Sequence, residues 1–505
     1  MLRHYKIGPA VIAGCLISLM SGCASYSQKM STTTDIMRTG SIDAAIASHE
    51  HLYEGDKPDD RDLLYYFERG ELMRTRTSGV DASSESWRVA DSRIRGWEDD
   101  ARGKLSKTAG DVGAWLLSDD FARYEGQDYE KVMLNTMLAE NDMIAGKWDQ
   151  ARIEIRKMYE RETFIADLRS KQVDALKDEA QKHDVKDSVS QVEDIKGYPV
   201  AIFKDPEVNN LRNSYQSAAS HYLAGFLFEA LNEQSLAAAG YQQAIKLRPD
   251  VPMLKDSLAN LGKSRPANGK TDLLVIVETG WIPARDSVDL TLPIMIGNSP
   301  KLLTASYPVI RPDPSNYAPS SILIGTQQVP TVVATNLDAM ARRALRDDMP
   351  TLIARSAVRM AVSAAAQTAL SSKDNDTGKL LSLAVGVASA LTSRADTREW
   401  RTLPAYISLA RVSVPSGQQT LSIDTPQGRL SATLDIEGTH ALAVLRPIGP
   451  FLQALASVAP SDTSQAGAAS PTLPASPPDT ATAAPRKAHT RKVARQHVPS
   501  ATVAE

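Results

Sequence analysis

The sequence predicts a multidomain chain, α first and α+β second: N-terminal tetratricopeptide-like helical hairpins, an antiparallel β domain with an inserted helical hairpin, and a disordered tail. Three observations carry this expectation. Small and aromatic residues recur at hairpin spacing up to residue 262, apolar residues alternate with a period of two from residue 270, and large apolar residues thin out beyond 453. With 505 residues, 42 % apolar and 23 % charged, the chain can support two or three packed domains. A net charge of -3 argues against a surface built to grip nucleic acid.

The chain opens on Arg3 and Lys6, followed by the apolar stretch 7–20, which suits an export signal and is too short to span a bilayer. That stretch ends Met20-Ser21-Gly22-Cys23, which resembles a bacterial lipobox with cleavage between Gly22 and Cys23 and lipidation of Cys23. An upstream match, Ile12-Ala13-Gly14-Cys15, leaves a shorter apolar core, so Cys23 is favoured. By similarity to known lipoproteins, Ala24 implies export to the outer membrane, with the protein facing the periplasm or the cell surface. Acyl chains would hold it there without a spanning helix. Residues 15 and 23 are the two cysteines, so the body can form neither a disulfide framework nor a cysteine metal cluster. The expected organisation is a signal peptide over 1–22, a tether and lead-in over 23–60, and a helical repeat domain over 61–262.

Within that domain, Gly225, Phe228, Ala237, Tyr241, Ala244 and Pro249 fall on the small-aromatic-small-aromatic-small-Pro spacing of a tetratricopeptide repeat. Small residues let two helices approach, large ones fill the groove between them, and proline ends the second helix. A partial copy over 132–163 carries Ala139, Gly146, Trp148 and Ala151. A weaker one begins at Leu63 with Tyr65, Tyr66, Gly70 and Met73, then a second helix bearing Trp87, Ala90, Ile94 and Trp97. An insertion of about fifty residues separates the copies at 132–163 and 221–249; it starts with the charged helix 171–182, read as a solvated face.

The β-rich domain is expected over 270–452, with a helical insert over 336–394. Leu273-Leu274-Val275-Ile276-Val277 reads as a buried strand, and Val288, Leu290, Leu292, Ile294 and Ile296 as a half-buried one whose Pro293 suggests an edge. Further strands follow at 302–310, 322–324, 405–414, 421–423, 430–436 and 440–445. The insert divides into helices 337–348, 350–370 and 380–393, with Pro350 placed in the first turn of the second. Over 453–505 an Ala/Pro/Ser-rich tail ends in the basic cluster Arg486, Lys487, Arg491, Lys492 and Arg495, a candidate contact for an anionic envelope polymer.

The lipobox, the segment Tyr124-Glu125-Gly126-Gln127-Asp128-Tyr129-Glu130, the turn Ala145-Gly146-Lys147-Trp148, the repeat at 221–249 and the run from Ala395 to Pro404 together resemble an uncharacterised family of bacterial repeat-containing lipoproteins. The resemblance spans about 60–450. It implies architecture and carries no catalytic assignment.

No motif for chemistry stands out. Gly262-Lys263-Ser264 and Gly269-Lys270-Thr271 lack the spacing or the following helix of a phosphate loop, and no Gly-x-Ser-x-Gly elbow occurs. Asp374-Asn375-Asp376-Thr377-Gly378 departs from a calcium loop and reads as a turn. His49-Glu50-His51 reads as solvated surface, with two imidazoles that would diverge on a helix. No metal and no cofactor is expected. Asp396, Arg398, Trp400 and Arg401 pack charge around an aromatic; they read as a buried Asp–Arg pair holding a junction, or else as a ligand site.

The function expected is a membrane-anchored, non-enzymatic scaffold that takes an envelope protein or peptide in the repeat groove. The alternatives are an envelope hydrolase or ligand-binding protein with a site near 396–401, and an assembly that oligomerises through the alanine-rich helices.

Overall fold

The structure, a computed structural model of the chain, describes residues 25–105, 124–182, 185–186, 197–263, 269–296, 299–371 and 395–459. Gly22, Cys23, the loop 374–378, the expected helix 380–393 and the basic cluster from Arg486 to Arg495 lie outside the described residues.

The lead-in is folded, where a tether was expected. Helix α1 (Tyr26–Arg38) starts at a capping box: the Ser25 hydroxyl accepts from the Gln28 N–H, and the Ser25 N–H donates to Gln28 Oε1. Together with α2 (Ile42–Leu52) it packs Met37, Ile42 and Ala45 against Leu72 and Ile448. Gly40, at φ +86°, lies where a Cβ would sit 2.9 Å from Pro450, so this turn seats directly on the β region.

Three helical pairs follow: α3 (Leu63–Arg74) with α4 (Val80–Leu105), α5 (Asp128–Ile144) with α6 (Trp148–Lys182), and, after a short α7 (Pro206–Asn209), α8 (Ala218–Ala230) with α9 (Gln234–Leu247). A last short helix, α10 (Pro252–Asn260), packs on α9. Glycines set the close approaches. A Cβ on Gly70 would meet Trp87 Nε1 at 2.0 Å, one on Gly225 would meet the Tyr241 ring at 2.5 Å, and one on Gly240 would meet the Gly225 main chain at 2.6 Å. Ala139, Ala151, Ala237 and Ala244 are fully buried in the same contacts, and Phe228 and Trp148 fill the grooves. The charged stretch 171–182 does not begin a separate insertion helix; it continues α6, which runs for 35 residues without a break.

Among the described residues, strands from Lys270 onward form three sheets. The largest has the order β12-β11-β2-β8-β7, with β2 (Lys270–Thr279) at its centre beside β8 (Tyr406–Pro415), which pairs in turn with β7 (Val332–Asn336). On the other side of β2, β11 (His440–Ile448) runs parallel to it and leads to β12 (Phe451–Ala456). The β region is thus mostly antiparallel, not wholly so as expected. A second sheet, order β10-β9-β5-β6, comprises β5 (Ser321–Ile324), β6 (Gln327–Pro330), β9 (Gly417–Thr425) and β10 (Gly428–Ile436). The third pairs β3 (Arg285–Ile296) with β4 (Ser299–Ile310) and, at its end, with β1 (Val185–Lys186).

The central sheet is buried on both faces, which explains why 273–277 reads as an unbroken apolar run. Leu274, Ile276, Leu409, Leu442 and Val444 join the helical core, whereas Leu273, Val275, Val277, Ala441, Ala443 and Leu445 pack on the second sheet. The molecule is therefore layered as helices, sheet, sheet.

Two boundaries differ from expectation. The insert enters as one helix, α11 (Leu337–Ser371), with Pro350 inside it; proline removes one hydrogen bond, and buried Leu345, Met349, Ile353 and Val358 on either side hold the helix together. The tail does not begin at 453: β12 occupies 451–456, and the Trp148 indole donates to the Val458 carbonyl at 2.7 Å.

Candidate functional site

The run 395–403 carries the sequence-predicted junction, and the structure splits its four residues between two environments. Trp400 is fully buried, stacked on Phe67 with ring centroids 4.5 Å apart and edge-on to Trp87 at 5.6 Å. Its main-chain N–H donates to Glu130 Oε1 at 2.6 Å. The other Glu130 oxygen accepts from the Gln127 N–H at 2.8 Å and from the Tyr124 hydroxyl. On the neighbouring helix Glu68 accepts from the main-chain N–H of Arg401 (2.6 Å) and of Thr402 (3.0 Å), from the Thr402 hydroxyl (2.6 Å) and from Tyr26 (3.1 Å). Arg401 itself is buried and pairs with Glu399 at 3.1 Å.

These carboxylates belong to a larger buried ionic network. Arg74 of α3 reaches Glu140 of α5 and Glu278 of β2, the latter at 2.7 Å. Arg446 of β11 pairs with Glu71 at 3.1 Å and donates to the Thr402 carbonyl at 2.6 Å. Burial pushes Glu68 up to about 7, against the pull of its Thr402 and Arg401 bonds, and Glu130 up to about 8, against that of Tyr124, Trp400 and Gln127. The network fastens the helical part to the sheet, and its members are enclosed, with Glu399 Oε2 and Arg401 Nε buried without a hydrogen-bonding partner.

Asp396 and Arg398 lie on the open side. They form a two-pronged pair, Nε to Oδ1 at 2.8 Å and Nη2 to Oδ2 at 2.9 Å. The pair is not buried as expected: the Arg398 side chain is 33 % and the Asp396 side chain 41 % exposed. Protein surrounds Asp396 on most sides and burial raises its carboxyl, but the Arg398 bonds outweigh that and hold it below the usual range.

Both side chains line a cleft of about 650 Å³ bounded by the 124–128 turn, α1, α6, the β3–β4 pair and α11. That volume is within the range of small-molecule sites, but the walls are unusually charged, with six cations and five carboxylates. Most are paired within the wall. Arg169 bridges Asp128 (2.6 Å) and Asp348, and Lys131 lies 3.7 Å from Asp128. Arg285, 4 % exposed, donates Nε to the Asp396 carbonyl at 2.8 Å, and its Nη1 has no hydrogen-bonding partner within the protein. Tyr307 borders the same space with its hydroxyl making no well-formed hydrogen bond; burial raises its pKa, and Ser356 nearby offsets part of the rise.

Other clusters resolve as structure. Glu229, Asp272 and His440 bring ligand atoms within 4.8 Å of one another. The Arg411 guanidinium sits among them, 2.6 Å from Asp272, 2.9 Å from Glu229 and 2.9 Å from the Tyr241 hydroxyl, and so supplies the positive charge that the carboxylates require. Burial lowers the His440 pKa. His49 is not the solvated residue expected: it is fully buried against Tyr65 and Tyr53, and burial with Arg69 and Arg61 nearby lowers it to about 3. His51 is exposed and pairs with Glu54.

Of the repeat-framework residues, Gly225, Phe228, Ala237, Tyr241 and Ala244 meet in the α8–α9 contact, and Ala139, Gly146, Trp148 and Ala151 at the α5–α6 turn and crossing. Pro249 follows α9 after its C-cap Arg248. Arg285, Tyr307, Arg169 and Asp348 were missed in the sequence, because nothing in their spacing marks residues that meet only through tertiary packing.

No family model and no curated protein matches this chain. Among the described residues no helix is long and apolar enough to cross a membrane.

Proposed function

We propose that the protein is a lipid-anchored, non-enzymatic scaffold of the cell envelope, held on the outer membrane through Cys23 and binding its partner through the cleft beside Asp396 and Arg398. The helical pairs are read as tetratricopeptide-like, on the small-residue approaches of Gly225 to the Tyr241 ring and of Gly240 to Gly225. The resemblance to repeat-containing lipoproteins belongs to the same proposal.

One observation carries the choice of the cleft over the repeat surface. The side of α8–α9 that bears Phe226, Glu229 and Tyr241 faces the protein's own central sheet: Arg411 bonds to Glu229 and Tyr241, the Phe226 and His440 rings are 5.7 Å apart, and Thr335 of β7 receives the Ala219 N–H at 3.0 Å. A partner seeking that face would have to displace β strands. The cleft is open, polar and built on rigid elements.

A small-ligand receptor or an envelope hydrolase at 396–401 is the second reading, favoured by the position of Asp396 and Arg398 in the cleft wall. Its hydrolytic form needs a carboxylate free to exchange a proton, whereas Asp128, Asp348 and Asp396 are each held in ion pairs. That engagement favours binding. Purification of the full-length protein from its own membranes, with Cys23→Ser for the anchor and Arg398→Glu for the cleft, tests the proposal. Loss of membrane retention in the first and of co-purifying partners in the second supports it; wild-type behaviour in both overturns it.

A further inference from the structure

The fold leaves a guanidinium donor in the cleft wall unfilled. Arg285 opens β3, its main-chain N–H donates to Glu399 Oε1 at 2.7 Å, and its Nε donates to the Asp396 carbonyl. Those bonds pin the side chain where Nη1 is buried without a partner. An arginine N–H taken out of water and left unpaired loses the hydration that it had in the unfolded chain, so such a group in a cavity wall is a position awaiting an acceptor.

Its surroundings specify which acceptor. Asp348 and Asp396 lie near enough for the Arg285 charge to favour the ionised form of both, although burial still leaves Asp348 raised, but Arg169 and Arg398 already engage their oxygens. The Tyr307 hydroxyl borders the same space as a second donor, and Lys29 and Arg398 add positive charge at the wall. The planar arginine fork binds oxyanions through two parallel N–H bonds, which makes carboxylate and phosphate its preferred ligands.

We propose that Arg285 and Tyr307 form an oxyanion subsite in the cleft, which takes a carboxylate or phosphate group. This deepens the reading of the cleft as the binding site and rests on it: the subsite is where the bound molecule places its anionic group. The two donors come from neighbouring antiparallel strands, β3 and β4, whose register pairs Arg285 with Ile310 and Ser287 with Pro308. Tyr307 itself pairs with Val288, so alternation sets the two side chains on opposite faces of this strand pair, and both nevertheless line the cleft.

The test titrates full-length protein with acetate and, separately, with inorganic phosphate, reading saturable line broadening of the anion by nuclear magnetic resonance. Wild type is expected to bind at least one of them, and the preferred anion tells a carboxylate ligand from a phosphate one. Arg285→Gln should weaken binding at least tenfold and Tyr307→Phe about threefold, with Arg429→Gln, an exposed arginine paired with Asp424, unchanged. Tyr307→Phe removes a hydroxyl that no well-formed bond holds, so it keeps the test open if Arg285→Gln fails to fold. Absence of saturable binding by either anion, or equal binding by wild type and Tyr307→Phe with Arg285→Gln equal or unfolded, overturns the subsite. Were the anions not to bind while Arg398→Glu still lost its partners, the subsite would fall and the cleft would stand; anion binding with an unchanged partner set would do the reverse.

Discussion

Glu130, on the first turn of α5, accepts the main-chain N–H of Trp400 at 2.6 Å across 270 residues of sequence. A helix side chain thus takes the place of a neighbouring strand for an irregular segment that would otherwise bury an unpaired donor. Glu68 does the same for Arg401 and Thr402. Removing either carboxylate strands several buried donors at once. Glu130→Ala and Glu68→Ala should each cost about 3 kcal/mol, read as a lower urea midpoint, and the double variant should separate helical from sheet unfolding into two transitions.

Stability should depend on pH through the same residues. Burial raises Glu68 to about 7 and Glu130 to about 8 from an ordinary value of 4.5, so the folded protein keeps protons that the unfolded chain has released. Their contribution is fully present below pH 4.5 and is lost as pH rises through 7 to 8. Urea midpoints should therefore fall between pH 5 and pH 8.5, and Glu68→Gln should flatten the slope. A midpoint that climbs over that interval contradicts the assignment.

The glycine contacts give a packing prediction. At Gly70 a methyl group would lie 2.0 Å from the Trp87 indole nitrogen, which itself donates to the Phe67 carbonyl at 3.1 Å. Gly70→Ala should destabilise by 2 kcal/mol or more, on the order of other overpacking changes. Gly96→Ala, on the same helical pair with open space around it, should be neutral or slightly stabilising. Thermal melts of the two variants distinguish them.

At the Arg411 cluster, the guanidinium stands where a cation would. Zinc should leave the wild-type melting temperature unchanged and raise that of Arg411→Ala, in which Glu229, Asp272 and His440 are left without their counter-charge. Zinc stabilisation of wild type would mean that Arg411 does not fill the site.

The alternation of 430–436, the run 273–277 and the small-residue spacing of 221–249 made most strands and the helical pairs legible in the sequence. Strands β6 and β7 are short, and β12 sits in a stretch whose composition already shades into the tail, so length and pattern gave no signal. The lead-in helix could have been read from Ser25-x-x-Gln28, a capping-box spacing overlooked beside the lipobox. Asp396 and Arg398 were visible as a charged pair, but whether they were buried or open depended on α6 and α11, elements far away in the chain. Arg285 carried no local mark, since its meaning lies in the bond that it does not make.

The cleft is the centre of this account, and partner capture from native membranes tests it most directly. Full-length wild type, Arg398→Glu and Arg429→Glu would be purified under identical conditions after confirming equal melting temperatures. The expected result is a set of co-purifying envelope components shared by wild type and Arg429→Glu and lost from Arg398→Glu; the same set in all three would contradict the cleft as the binding site.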